Sequence, residues 1–205
     1  MKQTVEQWVR RRSGLRWLVS LCVGLLLGVG LFVSSASATV MKHADLPRLV
    51  EISDVIVHGT VAQQDTYFDE EQNRVVTDVT IEIKQNFYGG SGDTVTFQQW
   101  RGFHDGKHHI IPGDATFEDG EEVVVFLRQG DDGVTALSAL GQAKYSVERS
   151  GNKSLVIRDL SDIAFLVERP GGEQEITHFD NEKHSLPSFV ATLEALVSGI
   201  KGGGQ

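Results

Sequence analysis

The chain has 205 residues, a formal net charge of −9 and one cysteine, Cys22. This length is sufficient for one domain with its own hydrophobic core, and the acidic balance works against binding to a nucleic-acid backbone. A basic nucleic-acid-binding protein and a disulfide-stabilised scaffold are therefore excluded from the hypotheses.

Residues 1–38 have the composition of a secretory signal peptide. Five basic side chains and one acid precede an apolar run from Trp17 to Val33, which is followed by the small residues Ala36 and Ala38. We expect cleavage after Ala38 and export to the periplasm or the extracellular space. An uncleaved membrane anchor is the alternative, because the run reaches the lower limit of about 17 residues for a span. In both cases the rest of the chain lies outside the cytoplasm.

The route of export and the state of the exported domain also follow from this end of the chain. Arg11, Arg12 and Arg16 resemble a twin-arginine signal, so that route and the general secretory route both stay open. Removal of residues 1–38 takes away Cys22 and leaves 167 residues with a net charge of −13. We therefore expect a soluble, acidic domain that contains no disulfide of its own.

The next segments predict a helix followed by a long hairpin. Residues 44–54 begin with Asp45 as a candidate N-cap and place Pro47 in the first helical turn. From Val55 the sequence is rich in β-branched residues, which predicts one strand over residues 55–64 and another over residues 74–88. The polar residues between them predict a turn.

Further strands are predicted over most of the remaining chain. Residues 94–100 follow the glycine turn at 89–93 with alternating apolar and polar side chains. Residues 122–129 are nearly continuous in apolar side chains, as expected for a strand that is buried on both faces. Residues 143–159 predict a hairpin, and residues 162–179 predict one or two more strands.

The chain ends in a predicted amphipathic helix. Ser185 is its candidate N-cap, Pro187 lies in the first turn, and Gly199 is the expected end. Residues 199–205 are predicted to be a flexible glycine-rich tail. The folded domain is therefore expected to span residues 39–198.

Six or more short strands, spaced by about ten residues, predict a mainly β protein. We expect an antiparallel OB-like β-barrel with a short N-terminal helix and the C-terminal amphipathic helix beside it. One domain accounts for the whole pattern.

Residues 44–197 also resemble a family of uncharacterised exported bacterial proteins. The most distinctive matches lie between residues 112 and 127: Pro112, Gly113, Phe117, Gly120, Glu121, Phe126 and Leu127. These are strand and turn residues, so the resemblance implies a shared fold and no activity.

Residues 53–97 are in addition similar to the first half of the inhibitory domain of tissue inhibitors of metalloproteinases, an OB barrel of the netrin-like kind. The similarity includes residues 82–85 and the glycine turn that follows. It implies a barrel, and inhibition of an extracellular protease only by analogy of fold. Those inhibitors bind zinc through an N-terminal cysteine, which the domain predicted here lacks.

The stretch from Phe103 to Gly113 contains the densest group of chemically active side chains. A loop could bring His104 and His108 onto one zinc ion, with Asp105 or His109 as a further ligand. The alternative is an ordinary polar loop, because the stretch lacks the Glu that follows the first histidine in the zincin signature. Calcium at the acidic residues 69–71 or 114–122 is a second metal hypothesis, and a solvated charged turn is its alternative.

Trp100 and Phe103 are the candidate ligand-binding residues, because they lead into this stretch and OB barrels bind ligands with exposed rings. No catalytic residue is assigned, since no recognisable nucleophile motif occurs. We expect an exported, non-enzymatic binding or interaction module without a resident cofactor. Its partner would be a protein, peptide or carbohydrate and not nucleic acid, and the membrane would be contacted only through an uncleaved signal segment. The alternatives are a metal-dependent envelope enzyme that uses residues 104–109 and an inhibitor of an extracellular protease.

Overall fold

The computed structural model describes residues 40–169 and 171–204. The predicted signal peptide lies outside these residues. The helices are α1 (Leu46–Ile52) and α2 (Leu186–Lys201); the strands are β1 (Val40–Lys42), β2 (Val55–Asp69), β3 (Arg74–Tyr88), β4 (Thr94–Gln99), β5 (Gly102–His104), β6 (Lys107–His109), β7 (Glu122–Gln129), β8 (Thr135–Leu137), β9 (Lys144–Ser150), β10 (Lys153–Arg158), β11 (Ala164–Glu168), β12 (Gln174–Thr177) and β13 (Glu182–Ser185). Within the described ranges, no helix combines the length and hydropathy needed to cross a membrane.

The main sheet is antiparallel and contains eight strands. Its order is β13-β10-β9-β7-β2-β3-β4, and β8 pairs with the end of β7. This arrangement confirms the prediction of a mainly β protein with antiparallel strands. Strand β7 lies between β2 and β9, and its residues from Val123 to Leu127 are fully buried, as the continuous apolar run predicts.

The main sheet curls into a half-barrel. The register between β2 and β3 shifts at three places along their 15-residue strands, and such irregularities increase the local bend and twist. As a result β4, at one edge of the sheet, lies beside β8. The curled sheet surrounds one large apolar core, to which both helices contribute.

The two helices cover the core at one side of the sheet. In α1 the Asp45 carboxylate accepts a hydrogen bond from the amide of Arg48 at 2.9 Å, which satisfies one of the free amides at the helix start. In α2 the buried side chains are Phe189 and Leu193, and the Phe189 ring lies 4.8 Å from the ring of Tyr145 on β9. The helix is thus attached to the middle of the sheet by aromatic packing.

The C-terminal helix does not end at Gly199, as the sequence led us to expect. It continues to Lys201 and is followed by a short 3-10 turn at Gly202–Gly204, so the predicted tail is partly helical. A glycine inside a helix costs only about 1 kcal/mol. Contacts of Lys201 offset that cost, because its ammonium donates to the Glu51 carbonyl at 2.9 Å and lies over the ring of Tyr88.

A second, three-stranded sheet has the order β1-β11-β12 and its own small core of Leu160, Ile163 and Phe165. Strand β1 is parallel to β11, with Val40 opposite Ala164. The sequence did not predict β1, because three residues are too few to show an alternating pattern.

A buried polar cluster holds the segment between β1 and α1. The side chain of Arg158 is fully buried; it donates to the carbonyls of Gln142 and Ala44 and pairs with Glu182 at 3.0 Å. The Gln142 amide group accepts from the Ala44 amide and donates to the Lys42 carbonyl. The guanidinium of Arg158 and the side-chain amide of Gln142 therefore have hydrogen-bond partners, which their burial requires. In the same segment the buried Nε2 atom of His43 has no hydrogen-bond partner among the described residues.

Candidate functional site

The stretch that was predicted to be an open polar loop is a two-stranded hairpin. Strands β5 and β6 pair through Gly102 with His109 and through His104 with Lys107. Asp105 and Gly106 form the turn, with φ angles of 48° and 73°. Two positive φ angles in succession define the type I′ turn, for which Asp-Gly is a favoured sequence. The prediction of a loop is wrong at this point, and the Asp-Gly pair was the signal that could have corrected it.

This hairpin lies against the far end of the β2–β3 hairpin. A Cβ atom on Gly102 would come within 2.4 Å of the Thr66 methyl group, so only glycine allows so close an approach. The hydroxyls of Thr66 and Thr77 are 2.7 Å apart, and the Thr77 hydroxyl donates to the Arg101 carbonyl at 2.6 Å. The base of the hairpin is therefore fixed to two strands of the main sheet.

The register of the hairpin separates the predicted metal ligands. His108 pairs with Phe103 and shares one face with it, whereas His104 and His109 belong to the other face because side chains alternate along a strand. Asp105 lies in the turn between them. The structure thus does not bring His104 and His108 together. Among the described residues, no group of three or more His, Cys, Asp and Glu side chains has the geometry of a metal site.

Aromatic side chains dominate the surface of the hairpin and its surroundings. Trp100 is 52% exposed and Phe103 is 58% exposed. The His104 ring stacks on the exposed Phe68 ring of β2 at 5.4 Å, and the His108 ring lies 4.9 Å from that of Phe103. The guanidinium of Arg74 covers the Trp100 ring at 4.1 Å, a cation–π geometry. These rings and the two histidines lie on both sides of the hairpin and next to it, and together we call them the aromatic hairpin face: Phe68, Trp100, Phe103, His104 and His108.

A cleft of about 700 Å³ lies at the base of the same hairpin. Arg101 and Ile110, which flank the hairpin, are part of its lining. The remainder comes from three segments: residues 111–121 between β6 and β7, residues 141–148 in and before β9, and residues 159–163 after β10. The volume is within the range of about 300–1,000 Å³ that is usual for ligand sites.

Ionic contacts fix one wall of the cleft. Lys144 pairs with Glu121 at 2.6 Å, its ammonium lies over the Phe117 ring at 4.7 Å, and the hydroxyl of Ser146 donates to the same carboxylate at 2.7 Å. Burial raises the pKa of the Asp114 carboxyl above its ordinary value, against the opposing effect of the Ala115 amide. The cleft wall therefore combines one neutralised ion pair with one carboxylate that is partly shielded from water.

The acidic segment 114–122, a calcium candidate in the sequence, does not form one carboxylate cluster. Glu121 is bound by Lys144 in the cleft. Glu122 instead belongs to the sheet surface, where it lies 2.7 Å from His58 Nε2 and forms two hydrogen bonds with Arg149. The hydrogen bonds from Arg149 lower the pKa of the Glu122 carboxyl to about 2. His58 is thus a buried sheet residue that holds a carboxylate in place.

The cleft was not predicted from the sequence. Its lining joins segments that are up to about 60 positions apart, and no local motif connects them. The one available signal was the segment from Pro112 to Glu121, which stood out in the family resemblance without any role assigned to it.

No protein-family model, no characterised protein and no solved structure matches this chain. The two resemblances seen in the sequence therefore stay predictions, and the function has to be inferred from the geometry of the described residues.

Proposed function

We propose that the chain is an exported, non-catalytic binding module with an OB-like barrel, and that it contacts its partner through the aromatic hairpin face. The observation that carries the proposal is that Trp100 and Phe103, on the hairpin or directly before it, are more than half exposed, and that the exposed Phe68 ring stacks on His104. Large exposed aromatic side chains that lie together are typical of interaction surfaces.

The way in which the hairpin is attached supports this role. Its base is fixed by Gly102 and Thr77. At its turn, a Cβ atom added to Gly106 would meet no atom within 4 Å, so the tip of the hairpin is open. A short hairpin on a rigid sheet presents its side chains with little loss of conformational entropy on binding.

The partner classes that suit this surface are a protein, a peptide or a carbohydrate. Aromatic rings can stack on sugar faces and can also fill pockets on a protein surface. The net charge of −13 predicted after removal of residues 1–38 disfavours DNA and RNA, whose phosphates would be repelled.

Site-specific photo-crosslinking in cells that produce the protein tests this proposal. A benzophenone amino acid replaces Lys107, which lies on the hairpin, or Ile176, which is exposed on β12 of the other sheet. We expect a crosslinked product from position 107 and none from position 176. The same product should disappear in the Trp100→Ala, Phe103→Ala double variant.

The matched control for that double variant is Leu155→Ala, which removes an exposed apolar side chain from β10. The product should persist in this control. A product that also persists in the double variant, or a probe at position 107 that never forms one, would contradict binding through the hairpin to a protein. A glycan array, probed with the wild type and the double variant, decides in parallel whether the rings bind carbohydrate.

A further inference from the structure

The cleft at the base of the hairpin has a floor of apolar side chains. Ile110, Ile111 and Pro112 belong to its lining and are exposed or half-exposed, whereas the lining residues Val147 and Ile163 are buried in the cores beneath. Such a floor suits a ligand that has aliphatic groups as well as polar ones.

The charges around this floor are strongly unbalanced. The lining contains six carboxylates, namely Asp114, Glu118, Glu121, Glu148, Asp159 and Asp162, and two cations, Arg101 and Lys144. Both cations are occupied, since Lys144 pairs with Glu121 and Arg101 donates to the Ala115 carbonyl. Within the described ranges, the exposed carboxylates Glu118, Glu148 and Asp162 make no ion pair. The open part of the cleft therefore has a negative potential, which its concave shape strengthens.

The spacing of these carboxylates decides between two kinds of cation. One calcium ion needs six to eight oxygen ligands that converge at about 2.3–2.6 Å. No such group of acidic side chains occurs among the described residues. Carboxylates distributed along a cleft instead match several cations that are separated from one another.

We propose that this cleft is a second binding site, which takes an extended peptide segment bearing lysine or arginine side chains. The aliphatic stems of those side chains would lie on Ile110, Ile111 and Pro112, and their charged ends would reach Glu118, Glu148 and Asp162. Arg101 and Ile110 lead from the cleft to β5 and β6, so a partner held by the hairpin has the cleft within reach of a neighbouring segment.

Fluorescence anisotropy with a defined probe tests this proposal. The probe is a fluorescein-labelled octapeptide of alternating lysine and serine, and its counterpart replaces each lysine by glutamate. We expect the purified full-length chain to bind the lysine peptide and not the glutamate peptide. The triple variant Glu118→Gln, Glu148→Gln, Asp162→Asn should weaken binding by about tenfold or more.

A charge-matched control separates a site from general attraction. Glu70→Gln, Glu71→Gln, Glu173→Gln removes three exposed carboxylates that are not part of the cleft lining. This control should bind the lysine peptide as the wild type does. Equal weakening in both triple variants, or equal affinity for both peptides, would overturn the proposal.

A second measurement does not depend on variants. The lysine peptide with a benzophenone at its end is irradiated with the wild-type chain, and the adducts are mapped by mass spectrometry. Adducts within residues 110–121, 144–148 or 159–163 support the proposal, and adducts confined to other segments contradict it. Neither readout uses the natural partner or the aromatic rings, so failure here and failure of the hairpin proposal are distinguishable.

Discussion

The centre of β7 and the β5–β6 hairpin differ in how much of their aromatic side chains is exposed. Both are antiparallel strands that contain phenylalanine. Phe126 is fully buried between two neighbouring strands, whereas Phe103 is 58% exposed on a two-stranded hairpin. The same side chain therefore stabilises the fold in one place and is available for recognition in the other. The difference indicates that substitutions in the two regions should separate stability from binding.

The largest expected effect follows from Phe126→Ala. The ring of Phe126 is fully buried and lies 5.8 Å from the ring of Tyr145, so its removal leaves a cavity in the middle of the core. We expect a loss of about 3–5 kcal/mol in the free energy of unfolding. Urea denaturation checks this value. An unchanged transition midpoint would show that β7 is not at the centre of the hydrophobic core.

The next effect follows from Arg158→Met, which breaks the buried cluster that holds the segment before α1. Glu182 would lose its partner, and the Ala44 carbonyl would lose a donor. We expect a loss of about 2–4 kcal/mol, near the lower end for a buried pair, because Glu182 keeps 31% of its surface exposed. Arg48→Met is the control: its ion pair with Glu51 is exposed, so the loss should be below about 1 kcal/mol. Urea denaturation measures both free energies of unfolding. Similar losses in the two variants would contradict a stabilising role for the buried Arg158 cluster.

Low pH should destabilise the folded chain, because the Glu122 carboxylate becomes protonated. Its folded pKa of about 2 lies below its ordinary value of 4.5, so the charged form stabilises the folded chain. This contribution is fully present above about pH 4.5 and is lost as the pH falls through about 2. Glu122→Gln should cost about 1–3 kcal/mol at pH 7.

The same variant should also lose less stability than the wild type when the pH is lowered from 4.5 to 2. Asp159 contributes acid sensitivity of the same sign in both proteins, because hydrogen bonds from Ser161 lower its pKa. Urea titrations at several pH values measure the difference between the two proteins. If the free energy of unfolding falls equally with pH in both proteins, Glu122 is not a source of the acid sensitivity.

The smallest effect on stability is expected in the aromatic hairpin face. Phe103→Ala and Trp100→Ala remove side chains that are more than half exposed. Each should change the free energy of unfolding by no more than about 0.5 kcal/mol. A loss approaching that of Phe126→Ala would show that these rings belong to the core, and the distinction between the two regions would fail.

The sequence predicted the core strand β7 and the two helices better than the hairpin that we propose as a binding surface, for a physical reason. The apolar run of β7 and the caps Asp45 and Ser185 are local signals, and each corresponds to an element in the structure. In β5 and β6 the strand residues are mostly polar and exposed, so no alternation of apolar side chains appears. Only Asp105 and Gly106 indicated the turn.

The cleft and the burial of Arg158 depend on contacts between distant parts of the chain. Arg158 meets Ala44 across 114 positions, and Lys144 meets Glu121 across 23 positions. Pairs of this kind are determined by the topology of the sheet, which strand patterns do not specify. The charge of a single segment therefore could not reveal which carboxylates share a cleft and which, such as Glu122, are neutralised on the sheet.

Native-state hydrogen exchange, resolved to single amides, tests most directly the claim that a stable half-barrel carries a separate recognition hairpin. We predict that amides of β7, which pair with both β2 and β9, exchange only through global unfolding. Amides of β5 and β6, which pair only with each other, should exchange through local opening at much lower free energy. Equal protection of the hairpin and of β7 would contradict the account.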